Sequence, residues 1–171
     1  VICGFGRTGN MFGSTTFNIQ PDILTCAKGL SSAYMPISAV MVSAQVYEAI
    51  AQNSARHGSF GHGYTYSGHP VAAAVALEVL KVYEEDNIVA RTRDLAPQFG
   101  GALRRLAQRR HVGEVRTIGL IGAIELVQDK EKKVGFTDRK SGVTVAQYAQ
   151  EEGLIVRALG DAVAFCPPLI I

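Results

Sequence analysis

A single lysine at the end of an apolar run constrains this chain most. Residues 23–28 read ILTCAK, and Gly29 follows at once. The run predicts a buried β-strand. An ammonium group at the tip of such a strand loses hydration and must find a partner or release its proton. A desolvated lysine amine is the nucleophile that Schiff-base chemistry requires. The alternative is a solvated strand-end lysine, which is the commoner case for a lysine taken alone.

The residues that follow this lysine favour the reactive alternative. Gly29 allows a turn without a Cβ and the close approach of a flat ligand. Hydroxyl groups follow at Ser31, Ser32 and Tyr34, and a second apolar run ends at Val42. The pattern predicts a strand, a polar loop and a return strand, with the amine at the mouth of the loop.

Four stretches in this order carry a resemblance to a known family. They are VICGFGRTGNMFG from Val1, PDILTCAKGLSSAYMPISAVMVS from Pro21, HGYTYSGHPVAAAVALEVL from His62, and GLIVRALGDAVAFCPPLII from Gly153. Together they resemble the class III (omega) aminotransferases, which depend on pyridoxal 5'-phosphate. The resemblance covers essentially the whole chain. Because chains of that family are much longer, it indicates a fragment.

The resemblance implies an α/β fold, the type I fold of pyridoxal-phosphate-dependent transferases. Residues 1–95 would form the C-terminal part of the large cofactor-binding domain, with a mainly parallel sheet. Residues 96–171 would form a truncated α+β small domain.

The resemblance also implies roles for individual residues. Lys28 would hold the cofactor as a Schiff base and then act as general acid and base, and Val1 would pack on the cofactor ring. Thr65 would bind the cofactor phosphate of a neighbouring subunit, so a homodimer with a shared active site is implied. Arg157 would bind a substrate carboxylate. From the residues alone, Thr65 is more often a turn residue that satisfies its own backbone, and Arg157 is equally an edge-strand arginine in water.

The function implied is transfer of an amino group from an omega-amino acid or primary amine to pyruvate or a similar 2-oxo acid. An aminomutase of the same fold is the nearest alternative, and it would need no oxo-acid acceptor. A non-catalytic scaffold without cofactor is another. The family's aspartate for the ring nitrogen and its glycine-rich phosphate loop are not found in the sequence, so the chain alone is expected to be inactive.

Charge and hydropathy exclude other classes of function. The net charge of +2 gives no electrostatic case for nucleic acid or an acidic membrane surface. The basic cluster in LRRLAQRR has helical spacing and is interpreted as a solvated helix face; it contains Arg104, Arg105, Arg109 and Arg110. No apolar run reaches membrane-spanning length. A cytoplasmic location is expected.

Cysteine and histidine spacing predicts neither disulfides nor a metal site. Cys3, Cys26 and Cys166 are far apart and lie in apolar runs, which indicates small buried side chains in a reducing compartment. The four histidines lack the spacing of metal ligands.

The sequence leaves the roles of several residues open. The glycines Gly4, Gly6 and Gly9 nearly match a dinucleotide fingerprint, but no helical period follows them, which argues against it. Arg7 between them is either structural or close to the site. Tyr34 and Tyr64 either line the pocket or pack in the core.

Hydrophobic periodicity predicts the remaining elements. They are a strand at residues 1–4, a helix capped by Ser43 with Val46, Ala49 and Ile50 inward, a helix from Pro70, a second helix to about Arg110, strands within 112–127, a helix at 144–152, and strands at 154–159 and 162–166.

Overall fold

The chain folds into two compact units. The computed structural model describes residues 1–138 and 140–171. The first unit consists of Val1–Phe5 and Asn10–Ile88, and the second of Gly6–Gly9 and Val89–Ile171. The division into domains 1–95 and 96–171 falls inside a helix and stays a prediction about the longer protein.

The first unit contains the predicted strand, loop and return strand. Its elements are α1 (Gly13–Thr16), β1 (Ile23–Cys26), a 3-10 helix (Lys28–Leu30), β2 (Ala39–Val42), α2 (Ala44–His57) and α3 (Pro70–Glu85). The strands pair antiparallel, with Ile23 opposite Val42 and Cys26 opposite Ala39. The prediction of a strand on each side of the lysine loop is confirmed.

Both predicted helix starts in this unit are confirmed by their caps. At the start of α2, Ser43 Oγ accepts a hydrogen bond from the Val46 amide at 3.4 Å. At the start of α3, Pro70 occupies the first turn. An N–H group there has no partner within the helix, so proline, which lacks one, loses no hydrogen bond. The inward face predicted for α2 is confirmed only in part, because Val46 and Ile50 are half-buried whereas Ala49 is exposed. None of its residues is fully buried, because a helix face is buried only where another element packs on it.

Residues 1–4 do not form the predicted strand. Their backbone is irregular, and the Phe5 amide donates to the Met11 carbonyl within a tight loop. A strand needs a neighbour that satisfies its N–H and C=O groups, and no strand among the described residues pairs with this segment. All strand pairs among those residues are antiparallel. The mainly parallel sheet expected for the large domain is therefore not formed by this part of the chain.

The second unit is built on a four-stranded antiparallel sheet. From the helix that leads into it, the elements are α4 (Ile88–Leu106), β3 (Val112–Ile118), β4 (Ile121–Leu126), α5 (Ser141–Glu151), β5 (Arg157–Leu159) and β6 (Ala162–Phe165). The strand order is β3-β4-β6-β5, so β5 lies at an edge. The two predicted strand pairs and the Gly160-Asp161 turn are confirmed.

Alternating side chains of β4 form the centre of the core in this unit. Ile124 and Leu126 are buried, and they pack with Val112 of β3 and Val163 of β6. Every second residue of β4, namely Ile121, Ala123 and Glu125, is only half-buried, as expected for a strand that covers the core with one face.

The predicted helix to about Arg110 is too long. α4 ends at Leu106, and bonds from the Ala107 and Gln108 amides to carbonyls three residues back tighten its last turn. Arg109 and Arg110 follow in the turn, so the basic cluster is only partly helical.

The remaining expectations concern cysteines, metals and membranes. Cys26 is buried and Cys3 half-buried, but Cys166 is exposed, so burial was wrongly expected there. Within the described ranges, no group of three histidine, cysteine or acidic side chains could hold a metal ion. No helix in that part of the chain is long and apolar enough to cross a membrane.

Candidate active site

Lys28 lies at the turn after β1 and opens the 3-10 helix. Its φ of +52° is in the left-handed region, which costs a residue with a side chain about 1 kcal/mol. The side chain is exposed, and no described residue pairs with its ammonium group. The predicted burial of this amine is wrong for the chain as described, because β1 buries only Cys26. The amine is accessible and unpaired, as a nucleophile must be.

Gly29 makes room for a side chain of the protein itself. A Cβ at this position would lie 2.7 Å from the Cβ of Phe5. Phe5 is buried, and its ring lies 5.6 Å from that of Phe12 and 6.2 Å from that of Tyr83. Close packing of Phe5 therefore explains the glycine without the flat ligand that we expected.

The loop after Lys28 divides its hydroxyl groups between structure and solvent. Ser31 is buried, and its Oγ donates to the Met35 carbonyl at 2.6 Å. Ser32 has a φ of +48° and Ala33 a φ of +65°, so strained backbone follows the lysine closely, a feature that clusters at functional sites. Tyr34 is 79% exposed, which excludes core packing for it in the described chain.

Thr65 begins an exposed turn just before α3. In this turn the Tyr64 amide donates to Ser67 Oγ at 2.9 Å, and Tyr64 is 77% exposed, so it does not pack in the core either. Two amides of the first turn of α3 already bond to His69, and Pro70 has none. Of the amides in this helix start, that of Val71 is left to bind an anion such as a phosphate.

Val1 lines an apolar cavity of about 320 Å3 in the first unit. Phe12, Phe17 and the four residues of β1 line it as well, and Lys28 does not. Val1 itself is 50% exposed. No hydrogen bond within the first unit joins Val1, Lys28 and Thr65 to one another, so their common site stays a prediction.

Arg157 begins the edge strand β5 of the second unit. It lies opposite Ala164 of β6, is exposed, and has no carboxylate partner among the described residues. This arrangement fits an arginine in water, and it equally leaves the guanidinium free for a carboxylate from outside the chain. The substrate role of Arg157 stays a prediction.

Arg7 makes hydrogen bonds to the main chain of the second unit. Its Nη1 donates to the Leu120 carbonyl at 3.0 Å and also to the Pro167 carbonyl. The sequence left its role open, because these acceptors are main-chain atoms that lie 113 and 160 residues further on. The glycines on either side, Gly6 and Gly9, both with positive φ, were the signal that a special loop holds it.

Comparison with known proteins places the chain in a family. The sequence model of the Aminotransferase class-III family matches residues 1–171. Gamma aminobutyrate transaminase 1, mitochondrial, from Solanum lycopersicum is 46% identical over 100% of this chain and 33% of its own length. Putrescine--pyruvate aminotransferase from Pseudomonas aeruginosa is 43% identical, over 100% of this chain and 37% of its own.

A solved structure shows that the chain also shares the fold of these proteins. The omega transaminase from Pseudomonas jessenii in complex with PMP superimposes with a TM-score of 0.96 and 52% identity, over 100% of this chain and 38% of that one. The chain belongs to the class-III aminotransferases and has their α/β fold, the type I fold. It spans between a third and two fifths of the length of the proteins that it matches.

Proposed function

We propose that this chain is part of a longer aminotransferase that binds pyridoxal phosphate. The enzyme moves an amino group from an omega-amino acid or primary amine to pyruvate or a similar 2-oxo acid. The observation that carries this proposal is the accessible, unpaired amine of Lys28 in a chain that matches the family from end to end. The relatives reported above are named as transaminases, which favours transfer between molecules over an aminomutase.

The chemistry of Lys28 fits the cofactor. A primary amine attacks an aldehyde only when it is unprotonated and accessible, and an exposed lysine without an acidic partner meets the second requirement. The bound cofactor supplies an electron sink. Lys28 Nζ would hold the cofactor covalently and, once free, would take a proton from the substrate carbon and return it.

The other residues bind and orient in this proposal. Thr65 would hold the cofactor phosphate of the neighbouring subunit of a homodimer through its hydroxyl group, and Val1 would pack on the cofactor ring. Arg157 binds the substrate carboxylate through its planar guanidinium, which matches a carboxylate in two parallel hydrogen bonds. The cytoplasmic location also stays a proposal.

Borohydride reduction of the longer holoenzyme tests the attachment residue. After digestion, mass spectrometry should find the reduced cofactor on Lys28, and Lys28→Ala should lower turnover by at least about a hundredfold. Lys81→Ala is the matched control, because Lys81 is an exposed lysine of α3 that pairs with Glu78 and Glu85. Label on any other lysine would contradict the proposal.

A further inference from the structure

The loop Gly6–Gly9 is part of the second unit and carries Arg7. The Gly9 amide donates to the Gly6 carbonyl at 2.8 Å, which closes a tight turn. Gly6 has a φ of +91° and Gly9 a φ of +88°, values that favour glycine strongly. The backbone of this turn is therefore built to hold one side chain in a fixed direction.

Arg7 joins two segments that are far apart in the sequence. Its Nη1 donates both to the Leu120 carbonyl, in the turn between β3 and β4, and to the Pro167 carbonyl. The Leu120 amide donates back to the Arg7 carbonyl at 3.0 Å. Hydrogen bonds from a charged donor are stronger than neutral ones. The Arg7 side chain therefore holds the segments at Leu120 and Pro167 firmly together.

The Pro167 carbonyl, which accepts from Arg7, lies just after the end of β6. Only Cys166 separates Pro167 from the last residue of β6, and Pro167 and Pro168 both have a fixed φ. A stiff segment held at one carbonyl fixes the direction in which β6 leaves the sheet.

The direction of β6 in turn fixes Arg157. β5 is an edge strand of three residues and is hydrogen-bonded within the sheet only to β6. Arg157 lies opposite Ala164, at the end of β6 nearest Pro167. A shift of this end moves the backbone of Arg157 with it.

We propose that Arg7 is a positioning residue for substrate binding by Arg157. Through the Pro167 carbonyl and β6, it sets the place at which the Arg157 guanidinium meets a substrate carboxylate. The inference rests on the carboxylate-binding role proposed above for Arg157. Arg7 itself does not touch the substrate.

A purely structural Arg7 would give a different result from a positioning one. Loss of stability lowers the amount of active enzyme and affects all amine donors alike. Loss of positioning affects only donors that carry a carboxylate. The ratio of two donors therefore separates these roles.

The test compares gamma-aminobutyrate with butylamine, which lacks the carboxylate, in the longer holoenzyme. Single-turnover rates are measured with the donor alone, so that the carboxylate of the oxo-acid acceptor does not contribute. In Arg7→Met, the second-order rate constant for gamma-aminobutyrate relative to butylamine should fall about tenfold, since small misplacements of a binding group lower rates steeply. Arg7→Lys, which keeps a cationic donor, should restore part of the ratio.

Arg116→Met is the matched control, because Arg116 lies on β3 of the same sheet and pairs with Glu114 and Glu125 at the surface. It should leave the ratio unchanged. Calorimetry with butyrate gives a readout without turnover, and Arg7→Met should weaken butyrate binding about tenfold, for the same reason of misplacement.

Two outcomes overturn the inference and can be told apart. If Arg157→Met does not lower the ratio, the proposed role of Arg157 fails, and the inference falls with it. If Arg157→Met lowers the ratio but Arg7→Met lowers both donors equally and keeps its butyrate affinity, Arg7 is structural only. If Arg7→Met does not fold, Arg7→Gln, whose shorter and uncharged side chain cannot replace the guanidinium, takes its place, and an unchanged ratio together with a normal butyrate affinity in that variant decides against positioning.

Discussion

At the scale of single residues, Gly119 permits a close approach of two backbones. It lies in the turn between β3 and β4 with a φ of +54°, and a Cβ there would lie 2.6 Å from Thr8 Cα and closer still to the Arg7 carbonyl oxygen. No flexible side chain can move aside at this contact. The docking of the loop Gly6–Gly9 therefore depends on glycine at this position.

We expect Gly119→Ala to lower the free energy of unfolding by about 3 kcal/mol, from steric clash and an unfavourable φ together. Gly153→Ala is the control, because Gly153 has a φ of +83° but nothing within 4 Å of its Cβ position. It should cost about 1 kcal/mol from φ alone. Urea unfolding of the longer enzyme, followed by circular dichroism, measures both, and equal costs would contradict the clash.

Single residues also show where the sequence was informative and where it was not. The anomaly of Lys28 was readable, because a charged side chain after an apolar run breaks a local pattern. Its exposure was not, since burial depends on elements that no local pattern describes. The role of Arg7 was hidden for a related reason: its partners are carbonyl groups, which every residue has.

At the scale of elements, α5 packs closely on the turn between β5 and β6. Gly142, near the start of α5, is buried, and a Cβ there would lie 2.9 Å from the Ala162 carbonyl oxygen and closer still to that of Gly160. Ser141 Oγ donates to the Asp161 carboxylate at 2.7 Å. This helix start therefore holds the turn that leads from Arg157 into β6.

Gly142→Ala should push α5 away from the turn and lower the free energy of unfolding by about 2 kcal/mol, because the clash is with backbone. Gly101→Ala in α4 is the opposite case, since nothing lies within 4 Å of its Cβ position. There alanine should stabilise the helix by up to about 1 kcal/mol. Thermal unfolding of the longer enzyme should show shifts of opposite sign, and two shifts of the same sign would argue against this packing.

Most elements were predictable because their signals are local. Pro70 and Ser43 mark helix starts by their own chemistry, and the Gly160-Asp161 turn between apolar runs marks a hairpin. The strand expected at residues 1–4 failed because pairing is not local. An apolar run says that a segment can form a strand, and only a neighbour decides whether it does.

At the scale of the whole molecule, the first unit exposes aromatic side chains in one loop. Phe60 is 64% exposed and Tyr66 80%, on either side of Thr65. Large exposed aromatic side chains so close together are typical of surfaces that become covered on association. They support the proposed homodimer, in which this loop contributes Thr65 to the neighbouring active site.

Mixed dimers test the shared site. Lys28→Ala and Thr65→Ala variants of the longer enzyme should each be strongly impaired alone. After unfolding and refolding together in equal amounts, half of the dimers should be mixed, each with one intact site, so activity should return to about a quarter of the wild type. Activity no higher than the sum of the separate variants would contradict a shared site.

The hydrogen bond between Arg7 and Pro167 also has a consequence for protein synthesis in the cell. The two residues are 160 positions apart, and ribosomes add about 5–20 residues per second. The loop Gly6–Gly9 therefore emerges roughly ten to thirty seconds before its acceptor does. During that interval the nascent chain must keep Arg7 available, and this interval is when a chaperone would have the most to protect.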